Sequence, residues 1–489
     1  MKNVKKKDKN AMSNYFVVKT REQLDEVVNY LLQSEGIIAI DTETTSADSF
    51  SCQLMGVSIS VAHEEAFYIP LRTYDKTLIE MGVYFENKIK TLLRYYSSNK
   101  NVQLIMHNSP FDIWVVRNCL GIDLLPQLYC DTMLLKHTVD EARPHGLKPT
   151  LVRYLGEGWD QSQLDLKENV IAKGGKWVKD QKDMWMGELD ILGNYACADA
   201  DGTRQLFYVL DMKLVEDGLQ DLFYKDEVMP LNEVVIDHLL KYGVYCDIEY
   251  FTELKQKCEQ RIIDLDTETN QCLQNELGPH FETLEWEILN KEVPLTPRGE
   301  IAKILLDYCG VPVPKDKDGN KLYSVKAVKT MFEDYPENNI LKWKLGVITT
   351  ETLIELEEDL VDTIRRKVYT MRKGSSSLIN LNSPQHLSEV LFNYLGETPS
   401  EVTTTGRPKT DKTTLEQYAD KYKFIHSFLE KKKEEKLLST YIENILSKHK
   451  ENIIRPSWLQ AGTDSSRFAC RDINLMNLPK NDKRIKYGI

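Results

Sequence analysis

Short apolar runs separated by polar turns open the chain, and their spacing predicts strands before helices. Tyr15-Phe-Val-Val reads as a short strand and Arg21–Leu32 as a helix. Three successive strands follow, at Ile37–Asp41, Gln53–Val61 and Ala66–Pro70. A helical pattern occupies residues 79–96, Val102–His107 reads as another buried strand, and helices dominate beyond it. Strands first, helices interleaved and then mostly helix describes an α/β domain of about 200 residues. From Asp226 onward the pattern is helical. An apolar-periodic helix over Glu227–Tyr242 is stopped by Gly243, and a long charged one covers Asp247–Gln274.

Within this helical half lies an internal repeat. Leu305-Leu-Asp-Tyr-Cys-Gly310 parallels Leu391-Phe-Asn-Tyr-Leu-Gly396. Each is followed by a Pro-containing turn, a Gly, polar residues and a new helix, at matched positions 86 or 87 apart. A duplicated hairpin unit accounts for the match; convergent helix–turn–helix patterning is the alternative.

Bulk composition narrows the classes. The chain has 489 residues, 42% hydrophobic, enough for two or three domains. It contains no apolar run long enough to span a bilayer. The basic Met1–Lys9 stretch has no apolar segment behind it, so residues 1–13 are expected to be a disordered lead and not a secretory signal. Nine scattered cysteines without a Cys-x-x-Cys pair fit reduced thiols in a cytoplasmic protein, with neither zinc site nor disulfide framework. A net charge of −12 argues weakly against general polyanion binding but leaves room for local basic tracks.

Three acidic clusters carry the candidate chemistry. Asp41 and Glu43 sit two apart at the carboxyl end of a buried strand, so both project the same way into the region where open α/β sheets hold ligands. Two carboxylates that close call for a divalent cation. Asp112 follows Pro110 in the first turn of a helix starting near Phe111. Tyr195 and Asp199 are four apart on one helix face, whereas Asp201 points elsewhere. Taken singly, each has an ordinary structural reading: a strand-end turn with solvated acids, an acid favoured by the helix dipole, and an aromatic beside a solvated acid.

Together the clusters form the motifs D-x-E (Asp41, Glu43), N-x-x-x-D (Asn108, Asp112) and Y-x-x-x-D (Tyr195, Asp199), in that order. This set resembles the DEDD superfamily of 3′–5′ exonucleases, tyrosine subtype, over roughly residues 15–212, and Asp131-Thr-Met-Leu fits its stretch between the second and third motifs. The resemblance implies a ribonuclease H-like domain with a mixed sheet over residues 14–212. It also implies two divalent metal ions, Mg²⁺ or Mn²⁺. Asp41, Glu43 and Asp199 would bind the ion on the nucleophile side, Asp41 with Asp112 would engage the second, and Tyr195 would orient the attacking water. Phe111 is the candidate wedge between the last bases.

Residues 213–489 resemble the opening of a family A DNA polymerase domain, a mostly α-helical thumb followed by palm entry. Met229-Pro-Leu with Tyr242–Asp247 resembles the opening helix and its exit turn; Leu381-Asn-Ser-Pro-Gln-His-Leu387 resembles the start of the thumb-tip hairpin, and Lys436–Tyr441 a later thumb helix. Thr463-Asp-Ser-Ser-Arg-Phe with Ile473-Asn-Leu-Met-Asn-Leu-Pro479 is similar to the family's T-x-T-G-R-L…P-N-L-Q-N-I-P segment along the primer–template minor groove. Arg467 and Asn474 match DNA-contacting positions, and Asn477 supports the turn. Ser466 stands where the family has Gly, Ile473 where it has Pro, and Met476 where it has Gln. The first repeat copy reads as an insertion at about 290–375, with Lys315, Lys317, Lys321, Lys326 and Lys329 suited to extra duplex or partner contacts.

The family places its palm aspartates and fingers beyond the segment ending at Pro479, and the sequence runs only to Ile489. The exonuclease site is therefore expected to be the one complete catalytic centre, releasing nucleoside monophosphates in a proofreading role in phage-like replication. Expected partners are DNA and a separate polypeptide carrying palm and fingers. Two alternatives stand beside this reading: a free-standing nuclease acting on RNA, like ribonuclease D, and a DNA-binding subunit complementing a polymerase half.

Overall fold

A computed structural model describes residues 14–72, 79–178, 181–292, 379–480 and 482–489. Residues 1–13 and the first repeat copy lie outside them, as does all but the start of the expected insertion. The chain divides into two compact units, Met1–Phe251 with Glu443–Ile489, and Thr252–Ile442.

The first unit is built on a six-stranded sheet. Its elements are β1 (Asn14–Val17), α1 (Arg21–Leu31), β2 (Gly36–Thr44), β3 (Leu54–Ala62), β4 (Glu65–Pro70), α2 (Gly82–Ser98), β5 (Val102–Met106), α3 (Ser109–Leu120), β6 (Leu128–Asp131), α4 (Thr132–Val139), α5 (Leu147–Leu155), α6 (Gln161–Ala172), a small hairpin of β7 (Trp177–Val178) with β8 (Gln181–Lys182), and α7 (Leu189–Glu216). Strand order is β1-β4-β3-β2-β5-β6. β2, β3 and β4 form an antiparallel meander, while β1 joins β4 and β5 joins β2 in parallel. β6 extends the sheet parallel to β5. The mixed sheet is thus as expected.

The near-continuous apolar runs of β2, β3 and β5 follow from burial on both faces. One core joins Ile38, Ile40, Val57 and Leu104 to Phe85, Ile89 and Leu92 of α2. A second packs Ala39, Ile105 and Cys130 against Leu206, Phe207 and Leu210 of α7. α7 comes very close to the sheet at Gly193, where a Cβ would lie 2.5 Å from Val17 Cγ2 and 3.1 Å from Tyr68 Cδ1. That absent methyl lets the helix carrying Tyr195 and Asp199 lie against the strands. The boundary expected after residue 212 falls inside α7, which runs unbroken to Glu216.

Beyond α7 come α8 (Val228–Val234), β9 (Val244–Tyr245), α9 (Ile248–Leu277) and α10 (His280–Glu292). The helix expected over Glu227–Tyr242 is present, widening to π geometry at Val235–Leu240 before Gly243 turns the chain at φ +64°. The second unit closes on Leu273, Leu277, Phe281, Leu387, Leu391, Phe424 and Phe428. Its later helices are α11 (Pro384–Ser388), α12 (Lys412–Glu416) and α13 (Lys423–Leu437), with Ser383 and Asp411 as N-caps of the first two.

The last stretch, α14 (Glu443–Lys448), β10 (Ile453–Ile454), β11 (Ser457–Leu459) and β12 (Ala469–Arg471), belongs to the first unit. β10 pairs antiparallel with β9, and the Asp247 N–H donates to Gly488 O at 2.8 Å. No periodicity announces such a return, because two-residue strands pair across two hundred intervening residues. Among the described residues no helix is long and apolar enough to cross a membrane.

Candidate nuclease active site

β2 delivers Asp41 and Glu43 at its carboxyl end, and α7 delivers Asp199 opposite them. One carboxylate oxygen from each of the three lies within 4.8 Å of the others. Glu43 and Asp199 are buried and Asp41 half-buried. Burial, reinforced by Asp112, Glu43 and Asp199, holds the Asp41 carboxyl well above the usual carboxylate range. Burial and then Asp199 push Glu43 up in the same way.

Asp112 is held differently. Thr42, between the two β2 acids, donates to Asp112 Oδ1 from its N–H at 2.9 Å and from its hydroxyl at 2.6 Å. Those bonds favour the charged form, yet burial dominates and Asp112 is pushed up to about 7. The helix bearing it begins at Ser109, two residues before the expected start. Asn108, the first residue of the second motif, takes the left-handed conformation (φ +69°) that turns the chain from β5 into α3. The Asn in this motif therefore has a backbone role.

Asp131, at the end of β6, fixes that turn. Fully buried, it accepts from the Asn108 N–H at 3.1 Å and from the Ser109 N–H and hydroxyl at 2.7 and 2.8 Å. It also caps α4 by accepting from the Met133 and Leu134 N–H groups. The Asn232 side chain of α8 donates to Ser109 Oγ at 2.9 Å, extending the clamp.

Tyr195 is buried beside Asp199. Burial first, then the charges of Asp199, Glu43 and Asp41, drive its phenol well above the ordinary tyrosine range. Asp201 faces away, as expected, accepting from the Tyr15 hydroxyl, the Glu64 N–H and Gln205.

A cation that sequence reasoning did not single out completes the site. Lys148, in the first turn of α5, is 5% exposed, and its ammonium contacts Asp199 Oδ1 as an ion pair. It also lies 4.6 Å from the Tyr195 ring centroid, a cation–π arrangement. Nothing in the spacing of a single lysine signals that its head group turns inward.

The remaining candidates lie elsewhere. Phe111 is half-buried at the margin of the main core. Arg467 is exposed, in a loop where Thr463 Oγ1 accepts from the Arg467 N–H and donates to its carbonyl, each at 3.0 Å. Ser466 sits at φ +55°, the left-handed region a glycine enters without strain, which explains why the similar family segment carries Gly there. Asn474 is half-buried with Oδ1 lacking a hydrogen-bond partner, and Asn477 is exposed. The loop is gripped from α4 and the turn after it: His137 Nε2 meets Thr463 O at 3.0 Å and Arg143 donates to Gly462 O.

An all-oxygen donor set of crowded acids, two of them held above their normal range by burial and mutual repulsion, fits a hard divalent cation and not a thiophilic one.

Comparison with known proteins agrees with the geometry. Residues 15–215 match the 3′–5′ exonuclease family model, and residues 349–488 match the DNA polymerase family A model. DNA polymerase I of Borreliella burgdorferi is 26% identical over 374 residues, 75% of this chain and 37% of that protein. The DNA polymerase of Escherichia phage T5 is 24% identical over 459 residues, 92% of this chain and 41% of that protein. The chain thus spans about two fifths of the length of these curated relatives. A solved structure, the POL domain of Pol1 from M. smegmatis in complex with DNA primer-template and dNTP, matches with a TM-score of 0.57 at 14% identity. The match covers 97% of this chain and 58% of that one, and it speaks to fold alone. The exonuclease family implies use of a divalent metal. Motif order, mixed sheet and acidic cluster agree with these matches: residues 15–215 are similar to the 3′–5′ exonuclease family and residues 349–488 to the DNA polymerase family A.

Proposed function

We propose that the chain trims DNA from the 3′ end, with Asp41, Glu43, Asp112 and Asp199 as metal ligands and Tyr195 as the residue that orients the attacking water. The observation that carries this reading is the meeting of Asp41, Glu43 and Asp199 within 4.8 Å, from two elements far apart in sequence. Two Mg²⁺ or Mn²⁺ ions, one on Asp41, Glu43 and Asp199 and one on Asp41 with Asp112, would supply Lewis-acid polarisation of the phosphate and activation of water.

The protein's own groups do the positioning. A water gives up one proton to solvent as its oxygen bonds to phosphorus and the P–O3′ bond breaks, the departing 3′-oxygen takes a proton from solvent, and a nucleoside 5′-monophosphate leaves. Tyr195 remains a neutral phenol at working pH, so it serves as a hydrogen-bond partner and not as a base. Thr42 holds Asp112 in place, and Asp131 holds the helix that carries it. Arg467, Asn474 and Asn477 are assigned to the DNA duplex by similarity to the polymerase family segment, and Phe111, next to Asp112, to the frayed end by resemblance to the exonuclease family.

Incubation with Mg²⁺ and 5′-labelled single-stranded DNA or RNA tests the reading. Stepwise 3′ shortening of DNA is expected, falling by a factor on the order of 10³ in Asp41→Ala. Absence of DNA trimming, or trimming indifferent to Asp41→Ala, overturns it; preferential RNA trimming overturns the substrate assignment.

A further inference from the structure

We propose that Lys148 is a catalytic residue of the exonuclease site, its ammonium binding the scissile phosphate and offsetting the charge that develops there. The proposal rests on the exonuclease reading above and adds to it a residue outside the three motifs. Lys148 is 5% exposed, yet the acid in contact with it is Asp199, one of the proposed metal ligands. Ser162 Oγ, 3.4 Å from its Nζ, is a neutral and weak partner.

Burying an ammonium costs several kcal/mol unless a counter-charge meets it. The charge count shows what that counter-charge is during turnover. Four carboxylates carry −4, which two divalent cations offset in full. Lys148 then stands at +1 with Asp199 committed to a metal. A phosphodiester at the cluster carries −1 and restores neutrality. Lys148 is compact, strongly charged and free to rotate its three donors, the properties of a point-charge phosphate binder. Its approach to the Tyr195 ring, 4.6 Å from the centroid, keeps the ammonium on the side of the site where water is to be oriented. α5 also fixes the stem: Thr150, two residues on, bonds back to Gly146 O at 2.8 Å, and Leu151 is buried beneath.

A lysine that only stabilises the metal-free carboxylates would behave differently, and the full chain distinguishes the two. Lys148→Met, Lys148→Gln and Lys148→Arg are compared by single-turnover trimming of labelled single-stranded DNA and by Mn²⁺ titration followed by electron paramagnetic resonance without DNA. The expected result is a 10²- to 10³-fold slower cleavage step in the Met and Gln variants, about what loss of one preorganised charge-stabilising donor costs. Mn²⁺ should bind these variants as tightly as wild type or more tightly, and Lys148→Arg should recover at least tenfold of the lost rate. A rate within threefold of wild type in Met and Gln, or a loss fully made good by raising Mn²⁺, overturns the proposal. Should the Met variant melt below the assay temperature, the Gln variant decides alone. If wild type does not trim DNA, the exonuclease reading fails; if wild type trims and the Lys148 variants trim equally, only this inference fails.

Discussion

Asp112→Asn should inactivate the nuclease while making the metal-free protein more stable. Asn keeps an oxygen to accept both Thr42 bonds, at 2.9 and 2.6 Å, so the substitution removes charge with little change of shape. Burial raises the wild-type carboxyl from 3.8 to about 7. The folded state therefore binds that proton more tightly than the unfolded chain does. Stability from this group is complete below about pH 4 and is lost as pH rises toward 7. A difference of about three pH units corresponds to roughly 4 kcal/mol above neutrality. That is an upper value, since neighbouring carboxylates relax when one charge is removed, and about 2–4 kcal/mol is expected at pH 8. For a domain of this size such a gain raises the melting temperature by about 5–15 °C. Melting in chelator at pH 5, 6, 7 and 8 checks it. The gain at pH 5 should be about a third to two fifths of that at pH 8, and should shrink when Mg²⁺ is restored to the wild type. An Asn variant no more stable than wild type at pH 8, or a gain independent of pH, refutes the reasoning.

Two further substitutions separate holding the ligands from being one. Thr42→Val deletes the 2.6 Å hydroxyl bond to Asp112 but leaves the backbone bond, so kcat/KM for DNA trimming should fall by about tenfold with the melting temperature little changed. Asp131→Ala strands the donors of Asn108, Ser109, Met133 and Leu134 in a buried setting, and should lower stability by about 3 kcal/mol or more in a urea titration. In that variant activity falls along with the fold.

What was legible in the sequence was local. Asp41 and Glu43 could be placed together because strand alternation fixes residues two apart, and Tyr195 and Asp199 because a helix aligns residues four apart. The antiparallel meander showed as three apolar runs with turns between them. Asp131 was visible as part of a motif-like stretch, but its five bonds to two helix starts exist only once β5 and β6 lie side by side. β6 itself is four residues long, too short for a pattern to register. The return of Glu443–Ile489 to the first unit depends on pairings between distant two-residue strands.

Lys148 was illegible for a related reason. A lysine in a helix start is a solvated side chain by default, and only the closing of α5 toward α7 gives it a buried anion to face. The residues that sequence identifies and those that it misses therefore do opposite work in the metal-free protein. Asp41, Glu43 and Asp112 crowd like charges into a buried site and destabilise it, as their raised protonation ranges record. Thr42, Asp131 and Lys148 supply the bonds and counter-charge that let the fold tolerate that crowding. Neutralising Asp41, Glu43 or Asp112 should thus trade activity for stability, whereas removing Asp131 or Lys148 should cost both.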